Sequence, residues 1–136
     1  MNPTIYLDEN VPKKLREGFK SINKSKNEKI NISTTALLCG SGTKDEKLIE
    51  KIGNENNCLV SYDKRMIFQY SHLIKNNHIG LFIIQLPKNY KYWHLVKSLI
   101  NNWEIIIENS ILKKPFICII KYRTVKPVFD FIDILK

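Results

Sequence analysis

The chain has 136 residues, 43% of them hydrophobic, which is enough for one domain to bury a core without disulfides or a structural metal. No apolar run approaches the roughly 18 residues that a membrane-spanning helix needs, and the first residues lack the pattern of a secretory signal. We therefore expect a cytoplasmic protein with no membrane partner. The formal charge of +9 favours a polyanionic partner, and nucleic acid in particular.

The first elements are a short strand and a helix. Thr4–Leu7 is prone to form a strand, which ends at the polar corner Asp8–Asn10. Pro12 suits the first turn of a helix, and apolar residues then recur at helical spacing as far as Ile22. The charged stretch 21–29 predicts a connection.

A second strand and helix follow. Residues 30–38 alternate weakly and predict a strand, which stops at a glycine-containing turn, residues 39–42. Thr43 and Glu46 match a capping box, which satisfies free backbone amides at the start of a helix. Gly53 is a suitable terminator for that helix.

The second half of the chain repeats this alternation. Strands are predicted at 58–62, 79–86 and 116–122, with a helix-compatible segment after the first of them and a long helix at 93–108 after the second. Aromatic residues near the basic stretches can stack unpaired bases, but we expect more of them to be core residues, Phe68 and Trp93 especially. These aromatics are Tyr62, Phe68, Tyr70, Tyr90, Tyr92 and Trp93. The tail, residues 124–136, is too apolar for a free linker, which predicts that it packs on the domain or on a partner.

Strands separated by helices predict an α/β fold: one domain spanning residues 1–136, with a mainly parallel sheet of about five strands and helices on both faces. Ligands of such sheets bind at the carboxyl ends of the strands. Asp8, Asp45 and Asp63 each lie at a strand-to-helix corner, so this sheet would collect them at one edge. Gathered carboxylates repel one another unless they share a cation, and their hard oxygen ligands suit Mg²⁺ or Mn²⁺.

Each of these acids also has a simpler interpretation as a helix cap or as a complement to a helix dipole. The conjunction favours a metal site, because capping does not require an acid at all three corners. Basic residues flank the acids along the chain: Lys13, Lys14, Arg16, Lys44, Lys64, Arg65. A basic rim around an acidic centre is typical of a nuclease, because the rim binds the phosphates that the acids would repel.

Three segments resemble the motif blocks of the PIN-like superfamily: L-D-E-N-V-P-K-K-L at residues 7–15, G-T-K-D-E-K-L-I at 42–49 and V-S-Y-D-K-R-M at 60–66. The chain is most similar to the branch named after the VapC45 toxin and to the related DUF5615 group. The resemblance covers nearly the whole chain. It implies a metal-dependent endoribonuclease that cleaves tRNA, rRNA or mRNA, is neutralised by a cognate antitoxin protein and forms a homodimer.

The resemblance also implies roles for individual residues. Asp8, Asp45 and Asp63 correspond to the metal-binding and catalytic acids, and Glu46 corresponds to an auxiliary catalytic acid. We predict that the substrate is bound by Asn10, Lys14, Ser61 and Arg65. Many relatives carry a fourth acid where this chain has Arg65, which puts a complete two-metal site in doubt and suggests that Arg65 contacts phosphate instead.

Two alternatives remain open. The chain can be a nucleic-acid-binding or antitoxin-binding module of PIN-like shape with weak catalysis, and metal-dependent cleavage distinguishes that module from a nuclease. A receiver-like phosphoacceptor domain would use Asp8, Glu9 and Asp63, but it leaves Asp45 without a function and does not suit the positive charge.

Overall fold

The computed structural model describes residues 3–25, 31–35, 38, 40, 42, 44–53, 56–121 and 128–132. The strands in chain order are β1 (Thr4–Leu7), β2 (Asn31–Thr34), β3 (Cys58–Ser61), β4 (Gly80–Gln85), β5 (Phe116–Lys121) and β6 (Val128–Ile132). The helices are α1 (Lys13–Ser25), α2 (Asp45–Ile52), α3 (Arg65–Asn76) and α4 (Tyr92–Asn109).

The strands form one sheet in the order β2-β1-β3-β4-β5-β6. The first five strands are parallel, and β6 pairs antiparallel with β5. The predicted α/β class with a mainly parallel sheet is therefore confirmed. Strand β6 lies within the predicted tail, and residues 124–127 and 133–136 of that tail lie outside the described part of the chain.

Hydrophobic clusters cover both faces of the sheet, because successive strand residues point to opposite sides. One face packs against α1 and α4, whose Phe19 and Trp103 rings are 4.2 Å apart between centroids. The other face packs against α2 and α3, with Leu48, Ile49 and Ile74 in its core. The prediction of helices on both faces is confirmed.

Two predicted boundaries were wrong. Helix α1 continues to Ser25, so residues 21–25 are helical; they contain no proline or glycine that would end the helix. Strand β2 ends at Thr34, and Thr35 and Leu38 are helical. The predicted capping role of Thr43 lies outside the described residues, and Lys44, the residue before α2, makes no side-chain capping hydrogen bond.

The prediction that Phe68 and Trp93 are core residues was wrong, since their exposed fractions are 83% and 67%. Helix geometry explains both positions. At 3.6 residues per turn, Phe68 lies about 200° around α3 from the buried Met66, and Trp93 lies about 120° around α4 from the buried Leu99. Both rings therefore turn away from the sheet.

Among the helices that the structure describes, none has the length and apolar character needed to cross a membrane.

Candidate functional site

The predicted acids lie where the order of the strands changes direction. Strand β1 is followed in the chain by β2 on one side and is flanked by β3 on the other. Asp8 directly follows β1, and its backbone amide donates to the Val60 carbonyl of β3 at 3.0 Å. Asp63 follows β3, and Asp45 is the first residue of α2. Ligands of open α/β sheets bind at such a point, outside the carboxyl ends of the strands.

Asp8 is a buried carboxylate held in one orientation. Its exposed fraction is 8%. Its Oδ1 accepts a hydrogen bond from the Glu9 backbone amide at 2.8 Å, and its Oδ2 accepts one from the Ser61 hydroxyl at 2.9 Å. The side chain is therefore fixed before any ligand binds.

Ser61, at the end of β3, connects the two strand ends. While it donates to Asp8, its Oγ accepts hydrogen bonds from the Asn10 side-chain amide at 2.9 Å and from the Asp63 backbone amide at 3.1 Å. The Asn10 Oδ1 in turn accepts from the Tyr62 backbone amide at 3.3 Å. Ser61 and Asn10 thus position the acids.

The carboxylates at this edge disfavour one another's charge. Burial raises the pKa of Asp8 above its ordinary value; the hydrogen bonds from Ser61 and Glu9 oppose this rise, and the negative charges of Asp45 and Glu9 add to it. Burial also raises the pKa of Asp45, and the charge of Asp63 adds to that rise. A cation placed between Asp8 and Asp45 would relieve this repulsion.

Asp63 already has a cationic partner. The Arg65 guanidinium donates to both of its carboxylate oxygens, from Nε to Oδ1 and from Nη2 to Oδ2, each at 3.0 Å. Hydrogen bonds from the Arg65 side chain, its backbone amide and its charge hold the pKa of Asp63 below its ordinary value. The Arg65 side chain is 78% exposed, so this ion pair faces solvent.

Residues 3–84, which contain the strands and helices that carry these acids, match the family model described as the PIN like domain. The chain belongs to the PIN-like domain family. No curated protein matches the chain significantly, and neither does any solved structure. The PIN-like domain is a nuclease-type fold, and its acids lie at the carboxyl edge of the sheet.

The other predicted site residues of this PIN-like domain lie on its surface. Glu46 is exposed in the first turn of α2, and Lys14 is exposed in the first turn of α1. Three further lysines of the predicted basic rim are also exposed: Lys13, Lys44, Lys64. Arg16 is half-buried, with a buried Nε that makes no hydrogen bond.

Three positioning residues were not predicted from the sequence. The Glu9 carboxylate accepts a hydrogen bond from the Gly42 amide at 2.9 Å, which ties the end of β1 to the segment before α2. The Tyr62 hydroxyl donates to the Leu95 carbonyl at 3.0 Å, which ties the end of β3 to α4. The imidazole of His94 caps the start of α4. Only Glu9 had a sequence signal, its place between Asp8 and Asn10.

Two of the three acids of this PIN-like domain, Asp8 and Asp45, are the best candidates to hold a divalent cation. In the part of the chain that the structure describes, no three Asp, Glu, His or Cys side chains converge closely enough to hold a metal ion. Mg²⁺ usually binds through one or two carboxylates and keeps several waters, which suits Asp8 and Asp45. Both carboxylate oxygens of Asp63 accept hydrogen bonds from Arg65, so Asp63 is less suited to hold the ion while this pair is intact.

The raised pKa of Asp45 gives a testable stability difference. Asp45→Asn and Glu46→Gln each remove one negative charge from the first turn of α2, so both lose the same favourable interaction with the helix dipole. Burial raises the pKa of Asp45, and the charge of Asp63 adds to the rise, so the ionisation of Asp45 opposes folding. After allowance for solvent screening, we expect Asp45→Asn to melt about 1–3 °C above Glu46→Gln at pH 7 without divalent cations.

The sign of the pH dependence follows from the same pKa. An aspartate whose pKa is higher in the folded chain than in the unfolded chain lowers stability as the pH rises from its unfolded value through its folded value. The two variants should therefore have similar melting temperatures near pH 3 and differ at pH 7. Equal melting temperatures at pH 7, measured by circular dichroism, would show that the ionisation of Asp45 does not oppose folding.

Proposed function

We propose that this PIN-like domain is a metal-dependent endoribonuclease that hydrolyses phosphodiester bonds in RNA. The proposal is supported most by one observation. Asp8 is buried and fixed by hydrogen bonds from Ser61 and Glu9, and its pKa is raised by burial, with the negative charge of Asp45 adding to the rise. A fold that keeps such a carboxylate at the ligand-binding edge retains an electrostatic cost that a bound cation would remove.

Asp8 and Asp45 would hold Mg²⁺ or Mn²⁺ in this proposal. When bound, such an ion polarises a phosphoryl oxygen and lowers the pKa of a coordinated water, which is the chemistry that phosphodiester hydrolysis requires. Ser61 and Asn10 keep Asp8 in its orientation. Asp63 serves as a catalytic acid whose carboxylate becomes available when Arg65 turns toward a phosphate, and Glu46 is an auxiliary acid.

The charge of the chain supports RNA as the substrate. Exposed lysines flank the acids along the chain, and Arg65 is exposed and needs to break only a solvent-facing ion pair, which contributes little to stability, to reach a phosphate. Lys14 and Arg65 would neutralise phosphates on either side of the cut. Asn10 is exposed, and its side-chain amide donates to the Ser61 hydroxyl, which in turn donates to Asp8. Asn10 would therefore contact the same nucleotide as the metal-binding acids.

A biological role as the toxin of a type II toxin-antitoxin system follows from the resemblance to the VapC45-type toxins. In that role the RNA is a tRNA, an rRNA or an mRNA, and the chain acts as a homodimer. A cognate antitoxin protein blocks the carboxyl edge of the sheet that carries Asp8, Asp45 and Asp63, which we call the acid edge. A basic nuclease would be inhibited effectively by a partner that covers this edge with acidic residues, because they would compete with phosphates for Lys14 and Arg65.

A second function is favoured by the ion pair of Asp63 and Arg65. Because Arg65 occupies both oxygens of Asp63, the chain can be a PIN-like module that binds RNA or an antitoxin and cleaves weakly or not at all. The two functions differ in one respect that can be measured, the dependence of RNA cleavage on a divalent cation.

The experiment that tests the proposal is incubation of a mixed RNA pool with the purified protein in Mg²⁺, in Mn²⁺ and in EDTA. We expect discrete cleavage products in either cation, none in EDTA, and recovery when Mg²⁺ is added back in excess. RNA that binds to the protein and stays intact in both cations would overturn the nuclease proposal and leave the binding module.

A further inference from the structure

An exposed group of aromatic rings lies at the start of α4. Tyr90, Tyr92 and Trp93 have exposed fractions of 52%, 53% and 67%. We call these three residues the aromatic turn. Large aromatic side chains bury well, so three of them exposed within four residues indicate a binding surface.

The aromatic turn is held in place by the helix that follows it. The His94 Nδ1 accepts a hydrogen bond from the Lys91 amide at 2.9 Å, and the Lys91 carbonyl accepts one from the His94 amide at 2.9 Å. The Tyr92 and Trp93 rings meet edge to face, with centroids 5.9 Å apart and an interplanar angle of 75°. Because this contact and the cap fix the turn, little conformational entropy is lost when a ligand binds.

The aromatic turn follows a strand end at the same edge of the sheet as the acids. It follows β4, whose carboxyl end lies beside that of β3 in the parallel sheet. Tyr62, between Ser61 and Asp63, reaches across to α4 and donates its hydroxyl to the Leu95 carbonyl at 3.0 Å. Leu95 is two residues from Trp93, so the Tyr62 side chain connects the end of β3, next to Asp63, with the first turn of α4.

The segment of the chain that contains the aromatic turn carries only positive charges. Residues 86–103 contain three lysines and no aspartate or glutamate. These lysines, Lys88, Lys91 and Lys97, are all exposed. Aromatic rings set among lysines are typical of surfaces that bind single-stranded nucleic acid, because bases stack on the rings while lysines neutralise phosphates.

We propose that the aromatic turn is a base-stacking surface, which holds unpaired bases of an RNA strand whose backbone runs on to the acid edge. Cleavage of the bound RNA at the acid edge rests on the proposed nuclease function, whereas the binding of unpaired RNA does not. Duplex RNA hides the faces of its bases inside the helix, so it offers the aromatic turn only phosphates and riboses.

The test is the affinity of the protein for a fluorescently labelled single-stranded RNA and for the same strand in a duplex, measured by anisotropy in EDTA so that no metal-dependent cleavage occurs. We expect the wild type to prefer the single strand. Trp93→Ala should weaken single-strand binding roughly 5- to 150-fold, the effect of losing one stacked base. Trp93→Phe keeps an aromatic face and should retain most of the affinity.

Ile111→Ala is the matched control, because Ile111 is 68% exposed, as Trp93 is, but lies between the end of α4 and β5, at the opposite edge of the sheet. It should leave RNA binding unchanged. Equal single-strand affinity of wild type and Trp93→Ala, or equal wild-type affinity for single strand and duplex, would overturn the proposal.

The outcomes also separate this proposal from the proposed nuclease function. Selective, Trp93-dependent binding by a protein that never cleaves RNA would support the aromatic turn and overturn the nuclease. Cleavage that is unaffected by Trp93→Ala, together with unaffected binding, would support the nuclease and overturn the aromatic turn. Loss of binding to a purified protein partner in Trp93→Ala, with RNA affinity unchanged, would assign the surface to that partner and overturn the proposal.

Discussion

Asp8→Asn is expected to lower the rate constant for RNA cleavage in Mg²⁺ by about 10²- to 10³-fold, the effect of removing one charged group that stabilises a transition state. The substitution keeps the size of a buried side chain and removes the charge that would hold the cation. Folding should be retained, since burial already disfavours the charged form of Asp8. The measurement is a single-turnover cleavage time course with the protein in excess over RNA.

Glu50→Gln is the control for this result. It also removes one negative charge, from an exposed residue in the last turns of α2, and should cleave RNA at the wild-type rate. Cleavage by Asp8→Asn at a rate within a few-fold of wild type, with both proteins folded, would remove Asp8 from the catalytic site.

Ser61→Ala is expected to lower both stability and activity. Ser61 is fully buried, and its replacement removes the donor to the Asp8 Oδ2 and the acceptor for the Asn10 side-chain amide and the Asp63 backbone amide. A buried group without its hydrogen bond costs about 1–3 kcal/mol in the free energy of unfolding, which urea denaturation measures. Removing a group that orients a metal ligand should slow cleavage about 10- to 100-fold at pH 7.

The pH profile distinguishes this effect from a general loss of packing. The Ser61 hydroxyl lowers the pKa of Asp8, so its removal raises that pKa further above the ordinary value. The acidic limb of the rate profile should therefore move to higher pH, and the deficit of Ser61→Ala should grow as the pH falls. A deficit that is the same at every pH would mean that Ser61 does not act through Asp8.

Ser98→Ala is the matched control for Ser61→Ala. Ser98 is also buried, at 1% exposure, but it lies on α4 and its hydroxyl makes no hydrogen bond to any residue that the structure describes. Its removal should cost little stability and leave the pH profile of cleavage unchanged. The difference between the two serines isolates the hydrogen bonds at the acid edge from the loss of a buried hydroxyl.

The fold was predictable from the sequence because its signals are local. The runs that became β1, β3 and β4 are apolar and end at polar corners, and the helices between them have one apolar face. Such alternation restricts the topology to a parallel sheet with right-handed crossovers. The corners Asp8 and Asp63 then meet at one edge whatever the order of the other strands.

The details of the site depend on contacts that no local pattern encodes. Ser61 forms hydrogen bonds with Asp8 and Asn10, which precede it by 53 and 51 residues. Tyr62 forms one with Leu95, 33 residues further along the chain. The engagement of Asp63 by Arg65 depends on the rotamer of an exposed side chain, although the residues are only two apart. The exposure of Trp93 depends on where α4 meets the sheet, because hydrophobicity alone predicts that a tryptophan is buried.

The most direct test of the metal site is a titration of the protein with Mn²⁺, followed by the electron paramagnetic resonance signal of the free ion. Wild type, Asp8→Asn and Asp45→Asn would be compared in the absence of RNA. We expect the wild type to bind Mn²⁺ saturably and Mg²⁺ to displace it, and we expect both variants to lose this binding. Failure of the wild type to bind Mn²⁺, or equal binding by all three proteins, would contradict a cation site at Asp8 and Asp45.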